Sequence, residues 1–187
     1  MNAKIYCSIV TATILLSGCL LSLNPVYTDR DLVFDPDVVG VWKQPQSAAS
    51  WEFTKRDEKS YVLVYTDENG HLGRFIARLA RINGTLFLDL YPQEVQGEAN
   101  SFYKAHLVPI HTVYLVRRTT PNVVLGAIDM AWLDKYLAEN PGALAHARLN
   151  DHNLITASTA ELQAFLLQHK DAFKGEVSLE RKTVATK

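Results

Sequence analysis

The chain has 187 residues, of which 48% are hydrophobic, and this size and composition suit one domain with a substantial core. Its 19 basic and 20 acidic residues nearly cancel and form no long run of one sign, whereas a nucleic-acid surface requires clustered Lys and Arg. We therefore expect no nucleic-acid partner.

The first eighteen residues have the anatomy of a signal peptide. Lys4 supplies a positive charge before an apolar stretch that runs from Ile5 to Leu16. This stretch is too short to cross a bilayer, which takes roughly 20 apolar residues in a helix. We expect residues 1–18 to direct export and then to be removed.

The tetrad Leu16-Ser17-Gly18-Cys19 follows the apolar stretch directly and resembles the lipobox of bacterial lipoproteins. The resemblance implies that Cys19 is diacylated, becomes the first residue of the mature chain and attaches the protein to a membrane. Lipoproteins with Asp after the cysteine resemble the class kept at the inner membrane, and here Leu20 takes that position. The implied location is therefore the outer membrane, facing the periplasm.

Beyond the lipidation point the chain divides into two parts. Residues 19–37, which include Pro25 and Pro36, are predicted to form a lipidated tether and lead-in. Residues 38–187 are predicted to form a single globular domain. The only other cysteine, Cys7, leaves with the signal, so we expect no intramolecular disulfide in this domain.

Antiparallel strands are predicted from Val38 to Asp129. The segments 50–56 and 60–66 are rich in aromatic and β-branched residues, and the turn sequence Asp67-Glu68-Asn69-Gly70 follows them. A second strand pair is predicted from Ile110 to Thr119 and from Val123 to Ile128.

The clearest hairpin surrounds Asn83-Gly84, the dipeptide preferred in a two-residue type I′ turn. Counting outward from the turn along His71–Tyr91 places Arg78 opposite Asp89. One face is uniformly apolar and is predicted to lie on the core: Phe75, Ala77, Leu79, Leu86, Leu88 and Leu90. The other face suits a groove or the inside of a barrel, or else a half-exposed sheet: Ile76, Arg78, Ala80, Phe87, Asp89 and Tyr91.

Two helices are predicted after these strands. The first begins at the N-cap Asp129 and ends before Pro141, and the second begins at Ser158, with Glu161 completing a capping box. Gly175 is the predicted cap at the end of the second helix. Short strands are expected at 153–156, before this helix, and at 176–182, after it. Strands first and helices later predict an α+β domain.

The tripeptide Gly40-Val41-Trp42 resembles the G-x-W signature in the first strand of lipocalins and related calycin barrels. In that family the Trp packs across the closed end of a ligand-binding barrel, often covered by an Arg. In this chain Arg117, Arg118 and Arg181 are all candidates for the covering Arg. The resemblance implies a lipocalin-like antiparallel sheet or barrel. Two late helices exceed the single helix of that family, so a partial barrel is expected. An ordinary core aromatic is the alternative for Trp42.

No catalytic residue, metal ligand or cofactor is predicted from the sequence. There is no G-x-S-x-G elbow, P-loop or G-x-G-x-x-G fingerprint. His106 and His111 are five residues apart, which places them on opposite faces of a strand and disfavours a shared metal.

The leading hypothesis is a non-catalytic binding or accessory domain on a lipid anchor, with a site for an apolar or lipid-like ligand. Its candidate lining is Trp51, Phe53, Ile76, Arg78, Phe87, Asp89 and Tyr91. The alternatives are a protein-interaction module of envelope assembly without a pocket, and a hydrolase. An exposed apolar patch would favour the module, and a histidine hydrogen-bonded to a carboxylate in a cleft would favour the hydrolase.

Overall fold

A computed structural model of the chain describes residues 19–93, 107–149 and 152–182. The predicted signal peptide and His106 lie outside these residues. The strands are β1 (Leu20–Ser22), β2 (Leu32–Val33), β3 (Gly40–Lys43), β4 (Ser50–Asp57), β5 (Ser60–Thr66), β6 (Leu72–Ile82), β7 (Thr85–Pro92), β8 (His111–Arg118), β9 (Val123–Ala127), β10 (His146–Leu149), β11 (His152–Ile155) and β12 (Gly175–Arg181). The helices are α1 (Met130–Glu139) and α2 (Thr159–Gln168), with 3₁₀ turns at Pro36–Val38 and Lys170–Ala172.

Eight antiparallel strands close into a barrel. Strands β3 to β9 pair in sequence order, and β12 lies between β9 and β3 and closes the ring. Both helices, together with β10 and β11, are inserted between the seventh and eighth barrel strands. The α+β prediction with an antiparallel barrel is confirmed, and the barrel is closed rather than partial.

The β6–β7 hairpin has the predicted turn and register. Asn83 and Gly84 have φ of 46° and 79°, the positive values that a type I′ turn requires at both positions. Arg78 pairs with Asp89, and Leu79 pairs with Leu88. This register fixes which side chains face the inside of the barrel.

The inside of the barrel is filled by side chains. The apolar face of the hairpin points inward as predicted, and it meets large aromatic residues from β3, β4 and β5. Trp42, Phe53 and Tyr61 are among the largest fully buried side chains in the described residues.

A second core lies between the outer wall of the barrel and the two helices. Phe87 on β7 points outward into this core and packs against Phe173, with their ring centroids 6.2 Å apart. Leu133 of α1 and Leu162 of α2 are fully buried in the same core. The helices therefore cover one part of the outward hairpin face.

The segment expected to be a tether is instead part of the fold. Strand β1 pairs with β8 on one side and with β11 on the other, and Leu20 is fully buried in the core under the helices. Val26 is also fully buried in that core. The prediction of a tether over 19–37 was wrong, because the two prolines suggested a linker while the partners of β1 are far away in the sequence.

Local capping signals predicted both helix starts correctly. The Asp129 side chain accepts a hydrogen bond from Trp132 N (3.0 Å), and Ser158 and Glu161 form a reciprocal capping box. The predicted C-cap was wrong, because α2 ends at Gln168 and Gly175 begins β12. The sequence reading also missed β10, which pairs antiparallel with β11.

Candidate functional site

The candidate lining residues fall in three different places. Trp51 and Phe53 point into the filled barrel interior, and Phe87 lies in the second core, so none of these three lines an open site. The remaining four lie on the outer face of the β6–β7 hairpin, at the end that the helices leave uncovered: Ile76, Arg78, Asp89 and Tyr91. Of the alternatives for the mixed face, the inside of a barrel is excluded, since this face points outward, and its uncovered end forms part of an external groove.

The groove has a volume of about 290 Å³. It lies between the hairpin, the chain that follows β1 and the residues that lead into β8. Its walls are formed by Leu23, Pro25, Tyr27, Ile76, Arg78, Tyr91, Pro109 and His111. Most of these side chains are apolar or aromatic, and Arg78 and His111 supply the polar groups. Small-molecule sites typically have this composition.

A buried histidine–carboxylate pair supports the groove from below. His111 Nδ1 and Asp89 Oδ1 share a hydrogen bond (2.6 Å), and Val26 N donates to Asp89 Oδ2 (3.1 Å). Both carboxylate oxygens of Asp89 are therefore engaged, one by the imidazole and one by a backbone N–H. Asp89 is 1% exposed and His111 6% exposed, so the pair is held almost entirely out of water.

This pair fixes the orientation of the His111 ring. With Nδ1 directed at Asp89, Nε2 is the ring nitrogen left for a ligand. Tyr91 packs against the ring with a centroid separation of 4.7 Å, and Tyr27 approaches its edge at 6.4 Å. The imidazole is therefore held between two aromatic walls of the groove.

Arg78 supplies the positive charge of the groove. Its guanidinium lies over the Tyr27 ring, 5.3 Å from the centroid. Burial raises the pKa of Tyr27, against a smaller opposing effect of the Arg78 charge. Within the described parts of the chain, Arg78 has no carboxylate within ion-pair distance. The arrangement offers a cation beside an aromatic surface.

No protein-family model, curated protein or solved structure that was compared with this chain matches it. The described residues contain no helix long and apolar enough to cross a membrane. Nor do residues 19–93, 107–149 and 152–182 bring together three or more metal-ligating side chains. Function must therefore be argued from the geometry of the chain itself.

The G-x-W tripeptide lies at one end of the barrel, under an arginine. The Arg181 guanidinium lies 4.3 Å from the centroid of the Trp42 ring, and Trp42 Nε1 donates to the carbonyl oxygen of Val38 (2.8 Å). A Cβ on Gly40 would lie 2.5 Å from Arg181 Nη1, and its φ is +142°. The backbone conformation favours glycine at this position, and any larger residue would also displace the end of the Arg181 side chain. Of the three candidate arginines, it is Arg181 that covers the Trp.

Cys19 lies immediately before β1, at the level of Tyr114, midway along β8. Its Sγ is 2.8 Å from the hydroxyl oxygen of Tyr114, whose side chain points into the barrel. Burial raises the pKa of the Cys19 thiol, and the hydrogen bond with Tyr114 opposes this effect. The side chain of Cys19 is partly exposed and packs against the inner core of the barrel.

Sequence reasoning missed five of the eight wall residues of the groove. Tyr27, Leu23 and Pro25 belong to the segment that was expected to be a tether, and His111 was considered only as a metal ligand. The leucine-rich stretch Leu20-Leu21-Ser22-Leu23 was the available signal that this segment packs into the fold. The pairing of this segment with β8 could not be predicted, because Leu20 and Val113 are far apart in the sequence.

Proposed function

We propose that the protein is an outer-membrane lipoprotein, anchored through Cys19 and facing the periplasm, whose domain binds a small amphipathic ligand in the external groove. The ligand has an apolar or aromatic body and a negatively charged group. The observation that carries the proposal is the groove of about 290 Å³, which places the Arg78 guanidinium beside aromatic walls over the buried His111–Asp89 pair.

The chemistry of the walls indicates the class of ligand. Tyr27, Tyr91 and Ile76 offer apolar contact area, while Arg78 and His111 Nε2 offer polar groups at defined positions. Burial of about 200 Å² of ligand surface would contribute on the order of 5 kcal/mol before the costs of association. We therefore expect modest affinity, in the micromolar range or weaker.

The anchor part of the proposal rests on the lipobox resemblance of Leu16-Ser17-Gly18-Cys19. Cys19 is the only cysteine among the described residues and is not fully buried. A fatty-acid analogue fed to the producing cells should label the full chain and leave its Cys19→Ala variant unlabelled. Label on the Cys19→Ala variant would disprove lipidation at this residue.

The arrangement of Arg181 over Trp42 supports a relation in architecture to the lipocalin barrels that the G-x-W tripeptide resembles. The ligand site proposed here differs from the one that this resemblance implies. The barrel interior is occupied by its own aromatic and aliphatic side chains, so the ligand is assigned to the outer groove.

Native mass spectrometry of the protein purified from its own host tests the binding function. The expected result is a co-purifying small molecule that is lost from the Arg78→Gln variant and kept by Arg81→Gln. Arg81 lies on the same strand, is exposed and is not part of the groove, which makes it a matched control. A molecule retained equally by both variants would place the ligand elsewhere. A ligand-free protein that co-purifies with a stoichiometric envelope protein would favour the interaction module.

The His111–Asp89 pair also favours a second candidate, a hydrolase, because such a pair orients a general base in hydrolytic sites. The groove walls in the described residues contain no Ser, Thr or Cys. Ser22, which pairs with His111 across β1 and β8, donates its hydroxyl to the carbonyl oxygen of Asn24 (2.7 Å). An ester-hydrolysing activity that is lost in His111→Gln, while the fold is kept, would support this candidate over simple binding.

A further inference from the structure

We infer that the charged group of the ligand is an oxyanion held between Arg78 and His111, and that the buried Asp89–His111 pair takes up a proton when this group binds. The inference rests on the proposed binding function of the groove. It narrows the ligand to carboxylates, sulfonates or phosphates with an apolar or aromatic body. Each of these groups carries at least two acceptor oxygens, one for each of the two donors.

The His111 ring offers one nitrogen to the groove. Its Nδ1 lies 2.6 Å from Asp89 Oδ1, and Val26 N engages the other carboxylate oxygen. His111 is also a wall residue of the groove, and Tyr91 packs against its ring with a centroid separation of 4.7 Å. An acceptor in the groove can therefore reach this ring only at Nε2.

Arg78 reaches the same groove from β6. It is the cross-strand neighbour of Asp89, but the Asp89 carboxylate is directed to His111 and Val26 N. The Arg78 guanidinium lies over the Tyr27 ring, 5.3 Å from its centroid, and the centroid of the His111 ring lies 6.4 Å from that of Tyr27. Both polar groups thus border one aromatic ring. An oxyanion beside this ring can accept from both of them while its apolar body contacts the tyrosine.

The number of protons on the pair decides whether His111 can donate to the ligand. One proton lies in the hydrogen bond between Asp89 and His111, because an oxygen and a nitrogen cannot bond through two lone pairs. Nε2 donates to an anion only if it carries a second proton. With both protons the pair has no net charge, and with one proton it is negative, whichever partner holds the shared proton. An oxyanion can therefore bind at Nε2 only when the pair is doubly protonated.

Electrostatics couples the anion to this second proton. Asp89 is 1% exposed and His111 6% exposed, so water screens their charges only weakly. With one proton on the pair, its negative charge offsets the positive charge of Arg78. The second proton removes the charge of the pair and leaves the described walls of the groove with the positive charge of Arg78. The bound anion and the proton therefore stabilise each other, and the coupling is reciprocal.

The other groups around the pair do not titrate in the same range. The residues that face His111 come from β7, β6, the segment after β1 and β1 itself: Asp89, Tyr91, Arg78, Tyr27 and the uncharged Ser22. Burial raises the pKa of Tyr27 above the ordinary tyrosine value of about 10, so its hydroxyl keeps its proton near neutral pH. We therefore assign the proton that accompanies the anion to the Asp89–His111 pair.

Binding titrations at several pH values test the inference on the mature chain, residues 19–187, which contains every described residue. The probe is naphthalene-2-sulfonate, whose sulfonate stays ionised throughout. The uncharged counterpart is 2-naphthalenemethanol. Isothermal titration calorimetry measures both affinities at fixed ionic strength between about pH 6 and pH 9, a range that begins near the ordinary pKa of histidine. The buffers contain no oxyanion that could compete for the groove.

We expect the affinity for the sulfonate to fall by about tenfold or more across this range, since the slope of log affinity against pH gives the number of protons taken up. The affinity for the neutral probe should change by less than about twofold. His111→Gln should remove the pH dependence, because a glutamine amide donates without titrating. His71→Gln should keep it. His71 also forms a pair with an aspartate, Asp67 (3.1 Å), but it is exposed and lies outside the groove, which makes it the matched control.

The outcomes separate this inference from the proposed function. Sulfonate binding with the same affinity at every pH, or with a pH dependence that His111→Gln retains, would overturn the inference and leave the binding function standing. Failure of both probes to bind would overturn the proposed function and the inference together. The comparison of the two probes on the wild-type chain needs no variant, so it tests the inference even if His111→Gln does not fold.

Discussion

The Arg181 guanidinium lies over the Trp42 ring, and this contact joins the last strand of the barrel to the first. Arg181 also donates from Nη1 to the carbonyl oxygen of Val39 (2.9 Å) and from Nη2 to that of Asp37 (2.6 Å). One side chain therefore holds the 3₁₀ turn, the first strand and the closing strand together. Barrel closure depends on this contact as well as on the few backbone pairs between β12 and β3.

Arg181→Ala is expected to lower the free energy of unfolding by about 1–2 kcal/mol, since it removes an exposed cation–π contact and two charge-assisted hydrogen bonds. Arg181→Lys should recover only part of this, because an ammonium group cannot reach both carbonyls in the geometry of the planar guanidinium. Urea unfolding monitored by Trp fluorescence measures both variants. An unchanged midpoint for Arg181→Ala would show that the closing contact does not contribute to stability.

Asp89→Asn is expected to destabilise the domain by about 1–3 kcal/mol. The carboxylate contacts Val26 N–H with one oxygen and the His111 ring with the other, whereas an amide keeps an acceptor oxygen at only one of these two positions. Glu58→Gln is the control, because its pair with Lys55 is exposed and should contribute little. Equal thermal midpoints for the two variants would contradict the structural role of the buried pair.

Phe87→Asp is expected to abolish cooperative folding. Phe87 is fully buried between the barrel wall and Phe173, so the substitution places an unpaired charge in a core and removes a large apolar side chain. Phe87→Leu should keep the fold at a cost of about 1 kcal/mol. A cooperative thermal transition for Phe87→Asp would contradict its placement in the second core.

Stability should fall as the pH drops below about 6.5, the ordinary pKa of histidine, in part because of His169. Its ring packs among Trp132, Tyr136 and Phe165, and burial lowers its pKa. The unfolded chain then binds a proton at a higher pH than the folded chain, so the free energy of unfolding decreases with acidification until the pH passes the lowered pKa. His169→Phe should make the pH dependence shallower in urea titrations between pH 5 and pH 7. An unchanged slope would exclude this residue.

Local signals in the sequence predicted local structure well. Asn83-Gly84 fixed the turn and register of the longest hairpin, since both positions need positive φ, and Asp129 and Ser158 located the two helix starts. The alternation along β6 and β7 separated the two faces correctly. These features depend only on residues that are close together in the chain, so a short stretch of sequence is enough to predict them.

The features that failed depend on distant partners. Strand β1 is stable only because β8 and β11 lie on either side of it, more than 90 residues along the chain. The sequence of the outward hairpin face does not show whether a residue on it is covered by a helix or lines a groove. Phe87 is buried because α1 and α2 cover its part of the face. The groove was missed for the same reason, because its second wall comes from the segment around Tyr27.

The most direct test of the central claim is a titration of the domain, residues 19–187 with Cys19→Ser, with an anionic aromatic probe such as anilinonaphthalene sulfonate. The expected result is saturable binding of one probe per chain, weakened by about tenfold in Arg78→Gln, which corresponds to about 1.4 kcal/mol, and unchanged in Arg81→Gln. Circular dichroism melts confirm that both variants are folded. Unsaturable binding, or equal affinity in the two arginine variants, would contradict a binding function of the external groove.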